Sequence, residues 1–246
     1  MPSFSMGLLI FFILIVIAVI LHEFGHFLAA RKLGVIAEEF NIGMGPKITG
    51  KRIGKTSWNL RILPFGGSCV LNDKDLLALS PQKRIAIFFA GPVVNLFLSL
   101  VCFLAFRLLT GQMDLLANIM SWAKNVLYII PDFFTSFKQA LSPAAPTLAE
   151  SGKVLESTLV QQKTVIDSMV YLLKICFSLN AFLFVGNILP IPALDGGQIA
   201  LNIPACFHKP LSDKAVAVAN WSFYIFIMVL SALFLIKDVV MTVIRS

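Results

Sequence analysis

The sequence predicts a polytopic α-helical membrane protein with about four transmembrane helices and a small membrane-associated β-hairpin or sheet between the first and the second. Hydrophobic residues make up 58% of the 246 residues and charged residues only 13%, with a mean hydropathy of +0.86. Soluble domains carry about twice that share of charge. The apolar residues also gather in four stretches, each long enough to cross a bilayer as a helix.

The four predicted spans differ in how cleanly they are bounded. The first contains no charged side chain before His22, whereas Arg107 and Lys174 lie near span ends, from which long basic side chains can reach the membrane surface. The predicted spans cover residues 4–30, 85–109, 170–189 and 216–236.

The segment between the first two spans is typical of β-structure. Residues 36–72 contain six glycines and two prolines, and residues 56–63 alternate between polar and apolar side chains, as in a strand. Lipid excludes an open sheet edge, so this structure must pack on protein or line a wet cavity. Its edge could accept an extended peptide as an added strand. The alternative is a glycine-rich loop that only connects two spans.

A second segment, residues 111–168, has helical patterning. It predicts one or two amphipathic helices at the membrane surface over residues 113–141, a break at 142–146 and a more polar helix after it. We therefore treat residues 1–246 as a single domain with an amphipathic helical insert.

The basic residues predict the orientation. Residues 31–84 carry ten lysines and arginines against four acidic residues, whereas residues 111–168 carry four lysines against five acids. The positive-inside rule places 31–84 in the cytoplasm and both termini on the other side. Because the basic residues lie beside apolar spans, the net charge of +7 predicts contact with the lipid bilayer and no nucleic-acid partner.

The strongest chemical signal lies at the end of the first span, in the sequence His22-Glu23-Phe24-Gly25-His26. Histidines at i and i+4 share one helix face, so two imidazoles can reach one zinc ion, and the glutamate can take a proton from a water held there. HExxH strings also occur by chance. Ionisable groups in lipid cost roughly 2.5–3.5 kcal/mol each on insertion scales, which favours a functional interpretation here.

A catalytic zinc site usually has three protein ligands, so a third is expected at the same depth. Asp195 follows the third span, after two prolines that end the helix and before Gly196 and Gly197, which permit a tight turn. It lies on the same predicted side as the two histidines. The alternatives are His208 as the third ligand, or Asp195 as a simple helix cap.

Taken together, these motifs resemble the site-2 protease family of intramembrane zinc metalloproteases, and most closely the bacterial regulator-of-sigma-E protease group. The similarity covers residues 1–110 and 170–240. The motifs that carry it are HEFGH, GMGP at 43–46, LPFGG at 63–67, FAGPVVN at 89–95 and NILPIPALDGG at 187–197.

The resemblance implies a zinc metalloendopeptidase that hydrolyses peptide bonds in or near transmembrane segments of membrane proteins. It implies Zn²⁺ as the cofactor, held by His22, His26 and Asp195, with Glu23 as the general base.

The resemblance also suggests which residues bind the substrate. Asn187 would hold the substrate backbone near the metal, and Gly66 and Gly67 would let a substrate strand approach closely. Asn95 is expected either to contact substrate or to form an interhelical hydrogen bond.

One departure from the group concerns the segment between spans two and three. A PDZ domain, usual there, needs roughly 80–100 residues and many strands, whereas residues 111–168 number 58 and have helical patterning. No PDZ domain is expected, so selection of substrates by such a domain is in doubt.

The expected partners are single-span membrane-protein substrates, and the expected location is the bacterial inner membrane, with the active site toward the cytoplasm. The expected role is regulated intramembrane proteolysis of substrates such as anti-sigma factors or signal-peptide remnants. The alternatives are an inactive scaffold or chaperone homologue and, less in keeping with spans two and four, a zinc transporter. The oligomeric state is left open by the sequence.

Overall fold

The structure is a computed structural model that describes residues 6–140, 142 and 145–245. Helices dominate it, and two strands lie between the first and second long helices. In chain order the elements are α1 (Met6–Lys32), β1 (Ala37–Ile53), β2 (Thr56–Leu71), α2 (Asp73–Ala78), α3 (Pro81–Leu109), α4 (Leu115–Ala140), α5 (Leu148–Val160), α6 (Val165–Ile188), α7 (Asp195–Cys206) and α8 (Asp213–Arg245).

Four of the described helices are long and apolar enough to cross a membrane, which confirms the predicted fold class. They are Met6–Lys32, Pro81–Leu109, Val165–Ile188 and, within α8, Lys214–Thr242. The helices α3 and α6 begin four and five residues before the predicted spans. Residues 4 and 5 of the first predicted span lie outside the described residues.

The strands β1 and β2 form one sheet, and both change partner along their length. Residues 39–42 of β1 pair on one side with residues 67–70 of β2 and on the other side with residues 57–60. The second half of β1 pairs with residues 56–61. Residues 57–60 are therefore interior to the sheet, whereas residues 67–71 form one of its edges.

Aromatic side chains fix the sheet against the end of α1. Phe40 is 1% exposed and packs between Phe27 of α1 and Trp58 of β2, with ring centroids 5.9 Å and 4.7 Å away. Such pairs contribute about 0.5–1.5 kcal/mol each beyond the area that they bury. This cluster holds the sheet beside the turn of α1 that carries the HExxH residues.

The chain divides into two compact units. One combines Ile15–Leu96 with Gly186–Phe223, and it contains the HExxH turn, the sheet, the first half of α3 and α7. The other combines residues up to Leu14 with Phe97–Val185 and the residues from Tyr224 onward, and it contains α4 and α5.

Helix α4 covers most of the segment for which one or two amphipathic helices were expected. It is one continuous helix, and Trp122 donates a hydrogen bond of 3.1 Å to Ser99, deep within the candidate span α3. Further along, Phe133 lies 4.6 Å from the ring of Phe182 in α6. Helix α4 therefore packs on two candidate spans, α3 and α6.

Candidate metal centre

Helix α1 brings the two histidines of the HExxH motif together. His22 and His26 are one helical turn apart, and their side chains are 8% and 10% exposed. Their Nε2 atoms lie 3.2 Å apart, with the two rings nearly perpendicular at 80°. Two nitrogens at this spacing in a buried site can share one metal ion.

Asp195 meets the same two nitrogens from the turn between α6 and α7. Its Oδ2 lies 2.9 Å from Nε2 of His22, and its Oδ1 lies 3.2 Å from Nε2 of His26. Burial opposes ionisation of Asp195, but its hydrogen bonds with the two imidazoles outweigh burial and hold its pKa below the usual range. Asp195 is thus a carboxylate at neutral pH, the form that binds a metal.

The structure gives no support to the two other interpretations, in which Asp195 is a helix cap or His208 is the third ligand. The N-cap of α7 is Leu194, and Asp195 directs its carboxylate at the imidazoles. His208 is exposed beyond the end of α7, at a positive φ of 58°. Among the described residues, the cluster of potential metal-binding groups consists of His22, His26 and Asp195, with ligand atoms within 4.8 Å of one another.

Two glycines make the Asp195 turn possible. A Cβ at Gly196 would overlap the backbone carbonyls of Ile188 and Leu189, and one at Gly197 would overlap that of Ile191. The start of α7 is therefore folded tightly onto the segment that leaves α6.

The dimensions of the cluster fit zinc. Ligand atoms about 2.0–2.1 Å from a tetrahedral ion are separated by roughly 3.3 Å. The two imidazole Nε2 atoms lie 3.2 Å apart, and each lies 2.9 Å or 3.2 Å from a different carboxylate oxygen of Asp195. Two imidazole nitrogens and a carboxylate form a donor set that zinc accepts.

The hydrogen-bond partner of each imidazole's Nδ1 is also compatible with metal binding through Nε2. Nδ1 of His26 lies 2.8 Å from the carbonyl oxygen of Ile87, to which it can donate, leaving Nε2 for a metal. Nδ1 of His22 lies 3.1 Å from the amide of Asn95, a residue that is 0% exposed and whose Oδ1 has no hydrogen-bond partner. Turning that amide over lets the orphaned Oδ1 accept from His22 Nδ1, which again leaves Nε2 for the metal.

Glu23 lies between the histidines and the sheet edge. Its Oε2 accepts a 2.9 Å hydrogen bond from the backbone N–H of Cys69. A Cβ at Gly67 would lie 3.5 Å from Cγ of Glu23 and 3.0 Å from the Asn41 carbonyl, so this position needs a small residue. Burial and the nearby Glu23 raise the pKa of the Cys69 thiol to about 12, so this thiol is not a nucleophile at neutral pH.

Three more residues were predicted to bind substrate: Asn187, Gly66 and Asn95. Asn187 is half-buried in the last turn of α6, and Gly66 has a positive φ of 73°. Asn95 is enclosed and contacts His22, so of the two expectations for it the structure supports the interhelical hydrogen bond.

Sequence reasoning did not single out two backbone positions that shape the site. A Cβ at Gly91 would overlap Nε2 of His26 and lie 2.7 Å from Nε2 of His22, so glycine lets α3 lie against both imidazoles. The Ile87 carbonyl is the other position. A glycine directly before Pro92 inside an apolar span was the available signal for the first, whereas no signal existed for a carbonyl.

The fold and the site together define an integral membrane protein with a candidate zinc-peptidase centre. A model of Peptidase family M50 matches residues 10–230. The chain belongs to this family.

Similar proteins share part of the chain. "Zinc metalloprotease Rip1" of Mycobacterium tuberculosis is 32% identical over 125 residues, which cover 46% of this chain and 31% of Rip1. "Putative zinc metalloprotease CPE1693" of Clostridium perfringens is 42% identical over 101 residues, 38% of this chain and 30% of that protein. The matched regions thus amount to about a third of the length of these relatives.

The first prediction concerns the metal ligands. The His22→Ala and Asp195→Ala proteins should lose the zinc, about one ion per chain, that the wild-type protein binds, because each removes one of three ligands. Metal analysis of purified protein measures this, with His208→Ala as the control that keeps its zinc. Full zinc in Asp195→Ala together with loss in His208→Ala would move the third ligand to His208.

Proposed function

We propose that this protein is an intramembrane zinc endopeptidase that cleaves peptide bonds in or near the transmembrane segments of membrane proteins. The observation that carries the proposal is the convergence of His22, His26 and Asp195, with Glu23 beside them, at the end of a helix apolar enough to span a membrane. Family membership and the names of the relatives support the same activity.

The protein's own groups have distinct tasks in this mechanism. His22, His26 and Asp195 would hold the zinc ion, which when bound supplies Lewis-acid polarisation of a water and of the scissile carbonyl. The Cys69 N–H holds Oε2 of Glu23, which orients the carboxylate. Glu23 then takes a proton from the attacking water and delivers it to the leaving nitrogen.

The substrate must be extended before a peptide bond can reach this site. The sheet edge at residues 67–71 could bind such an extended segment as an added strand. The N–H of Asn72 points inward, to the Ile36 carbonyl, while that of Cys69 points outward, to Glu23. Because N–H groups alternate along a strand, Gly67 and Leu71 also direct theirs outward. Among the described residues no further strand pairs with this edge, so a substrate strand added there would lie beside Glu23.

This register changes which part of the β-segment is proposed to bind substrate. Residues 56–63 have a strand-like alternation, but in the described structure residues 57–60 of this stretch pair on both sides within the sheet. A proline substitution at Asn59 or Arg61 would remove a residue that pairs within the sheet, so its effect on substrate binding could not be separated from damage to the sheet. We assign substrate binding to the 67–71 edge, with Gly66 and Gly67 at its start and Asn187 holding the substrate backbone near the metal.

The substrate class, the cellular role and the location are proposed from the sequence and from its resemblance to the site-2 protease family. Single-span membrane proteins are the proposed substrates, cleaved in regulated intramembrane proteolysis of anti-sigma-factor-like proteins or signal-peptide remnants. The proposed location is the bacterial inner membrane with the metal centre toward the cytoplasm, supported by the ten basic residues of 31–84.

The second prediction tests activity. Wild-type protein reconstituted with a panel of single-span membrane proteins should cleave at least one, and Glu23→Gln should lower the rate by about 100-fold or more while keeping its zinc, since the base alone is lost. Glu38→Gln, which alters an exposed carboxylate elsewhere in the same unit, is the matched control. Zinc binding with no cleavage of any substrate would instead favour an inactive scaffold.

The third prediction tests the sheet edge. In a Glu23→Gln chain without native cysteines, a cysteine at Ser68 should form disulfides with single cysteines placed along a bound substrate, with yields that alternate every second residue because a paired strand has that period. Lys51→Cys, on the opposite edge, is the control. Cross-links that favour Lys51, or that show no period of two, would contradict substrate addition at residues 67–71.

The fourth prediction tests orientation. With native cysteines removed, a cysteine at Lys55 should react with a membrane-impermeant maleimide only after the membrane is opened, while one at Lys153 should react in intact cells. Both positions are exposed in the structure, so access depends on the side of the membrane. Equal labelling of both in intact cells would refute the proposed topology.

A further inference from the structure

The turn that carries Asp195 is tied to helix α8 by one side chain, that of Asn220. Its Oδ1 accepts two hydrogen bonds, one of 3.2 Å from the backbone N–H of Ala193 and one of 2.9 Å from Nε2 of Gln198. These donors lie two residues before and three residues after Asp195. A single carboxamide oxygen therefore spans the turn from which the ligand projects.

This turn needs support from outside its own residues. Ala193 has a positive φ of 69°, a conformation that residues with a Cβ rarely adopt. The N-cap of α7, Leu194, makes no side-chain capping hydrogen bond. Asn220 satisfies the N–H of the strained residue and so favours the backbone conformation that directs Asp195 toward the imidazoles.

The position of the Asp195 carboxylate leaves little freedom. Its two oxygens lie 2.9 Å and 3.2 Å from the two imidazole nitrogens, and metal–ligand distances must hold to about 0.2 Å. A small rotation of the turn would withdraw one ligand of three.

Asn220 itself is also costly to place without a partner. It lies within the apolar stretch Lys214–Thr242 of α8, a candidate span. A polar side chain in such a helix is usually paired, and here the two groups that donate to Asn220 Oδ1 flank Asp195 in the chain.

We propose that Asn220 is a positioning residue of the metal centre, which holds Asp195 in its metal-binding orientation through Ala193 and Gln198. This inference rests on the proposed function, because it concerns the same metal site. It makes zinc affinity depend on how α8 sits against the Asp195 turn within this unit of the chain.

The test compares zinc affinities, measured by competition with a chelator on purified full-length protein. Asn220→Leu removes the acceptor at similar size and should weaken zinc binding by about 10–100-fold, as losses of groups that orient metal ligands do. Asn220→Asp keeps an acceptor oxygen for both donors and should stay within about threefold of wild type, whereas a merely structural role for the amide would not be rescued in this selective way.

Two further variants complete the design. Gln198→Met removes one of the two hydrogen bonds and should weaken zinc binding by less than Asn220→Leu does, which keeps the test decisive if that variant does not fold. Asn125→Leu is the control, because the exposed Asn125 bonds within its own helix, and it should bind zinc as wild type does.

Unchanged zinc affinity in folded Asn220→Leu and in Gln198→Met would overturn the proposal. Equal losses in Asn220→Leu and Asn220→Asp would also overturn it. If the wild-type protein binds zinc but cleaves no substrate, the proposed protease function fails while the positioning role of Asn220 is still measured by affinity.

Discussion

The site depends on one constraint: two imidazoles and a carboxylate lie at the end of an apolar helix, where each polar atom needs a partner because lipid offers none. Every described partner comes from a different part of the chain. The Ile87 carbonyl and the Asn95 amide meet the outer ring nitrogens, the Cys69 N–H meets Glu23, and Asp195 meets both Nε2 atoms. The polar atoms of this one helical turn are thus partnered by α3, by the sheet and by Asp195 at the start of α7, and these contacts constrain how the three elements lie around the turn.

Close approach is what these partners have in common, and glycine permits it. Gly91 lets α3 lie against both imidazoles, Gly67 lets the sheet edge lie close to the Asn41 carbonyl, and Gly196 and Gly197 let the start of α7 fold onto the end of α6. At each of these positions a Cβ would lie too close to a backbone atom or to an imidazole nitrogen. The glycines therefore act through the space they leave, and Gly67 leaves it at the edge where a substrate strand is proposed to bind.

The two edges of the sheet differ in their surroundings, and this difference gives the site a direction. The edge at 67–71 donates an N–H to the carboxylate of Glu23, whereas the second half of β1 forms the other edge and carries the exposed Lys47 and Lys51. The aromatic contacts of Phe27, Phe40 and Trp58 keep the first edge beside α1. A strand added there would lie beside Glu23, the proposed base.

The sequence by itself determined the features that depend on local composition and spacing. Apolar runs predicted the four candidate spans, because lipid requires about twenty apolar residues per helix, and the i, i+4 spacing predicted that His22 and His26 share a face. Prolines and glycines around Asp195 predicted a turn. Only the tertiary structure decided which atoms face one another. The amide of Asn95 against His22, the Ile87 carbonyl, the interior position of residues 57–60 and the tie from Asn220 all join residues far apart in the chain, and such contacts depend on packing that leaves no local pattern in the sequence.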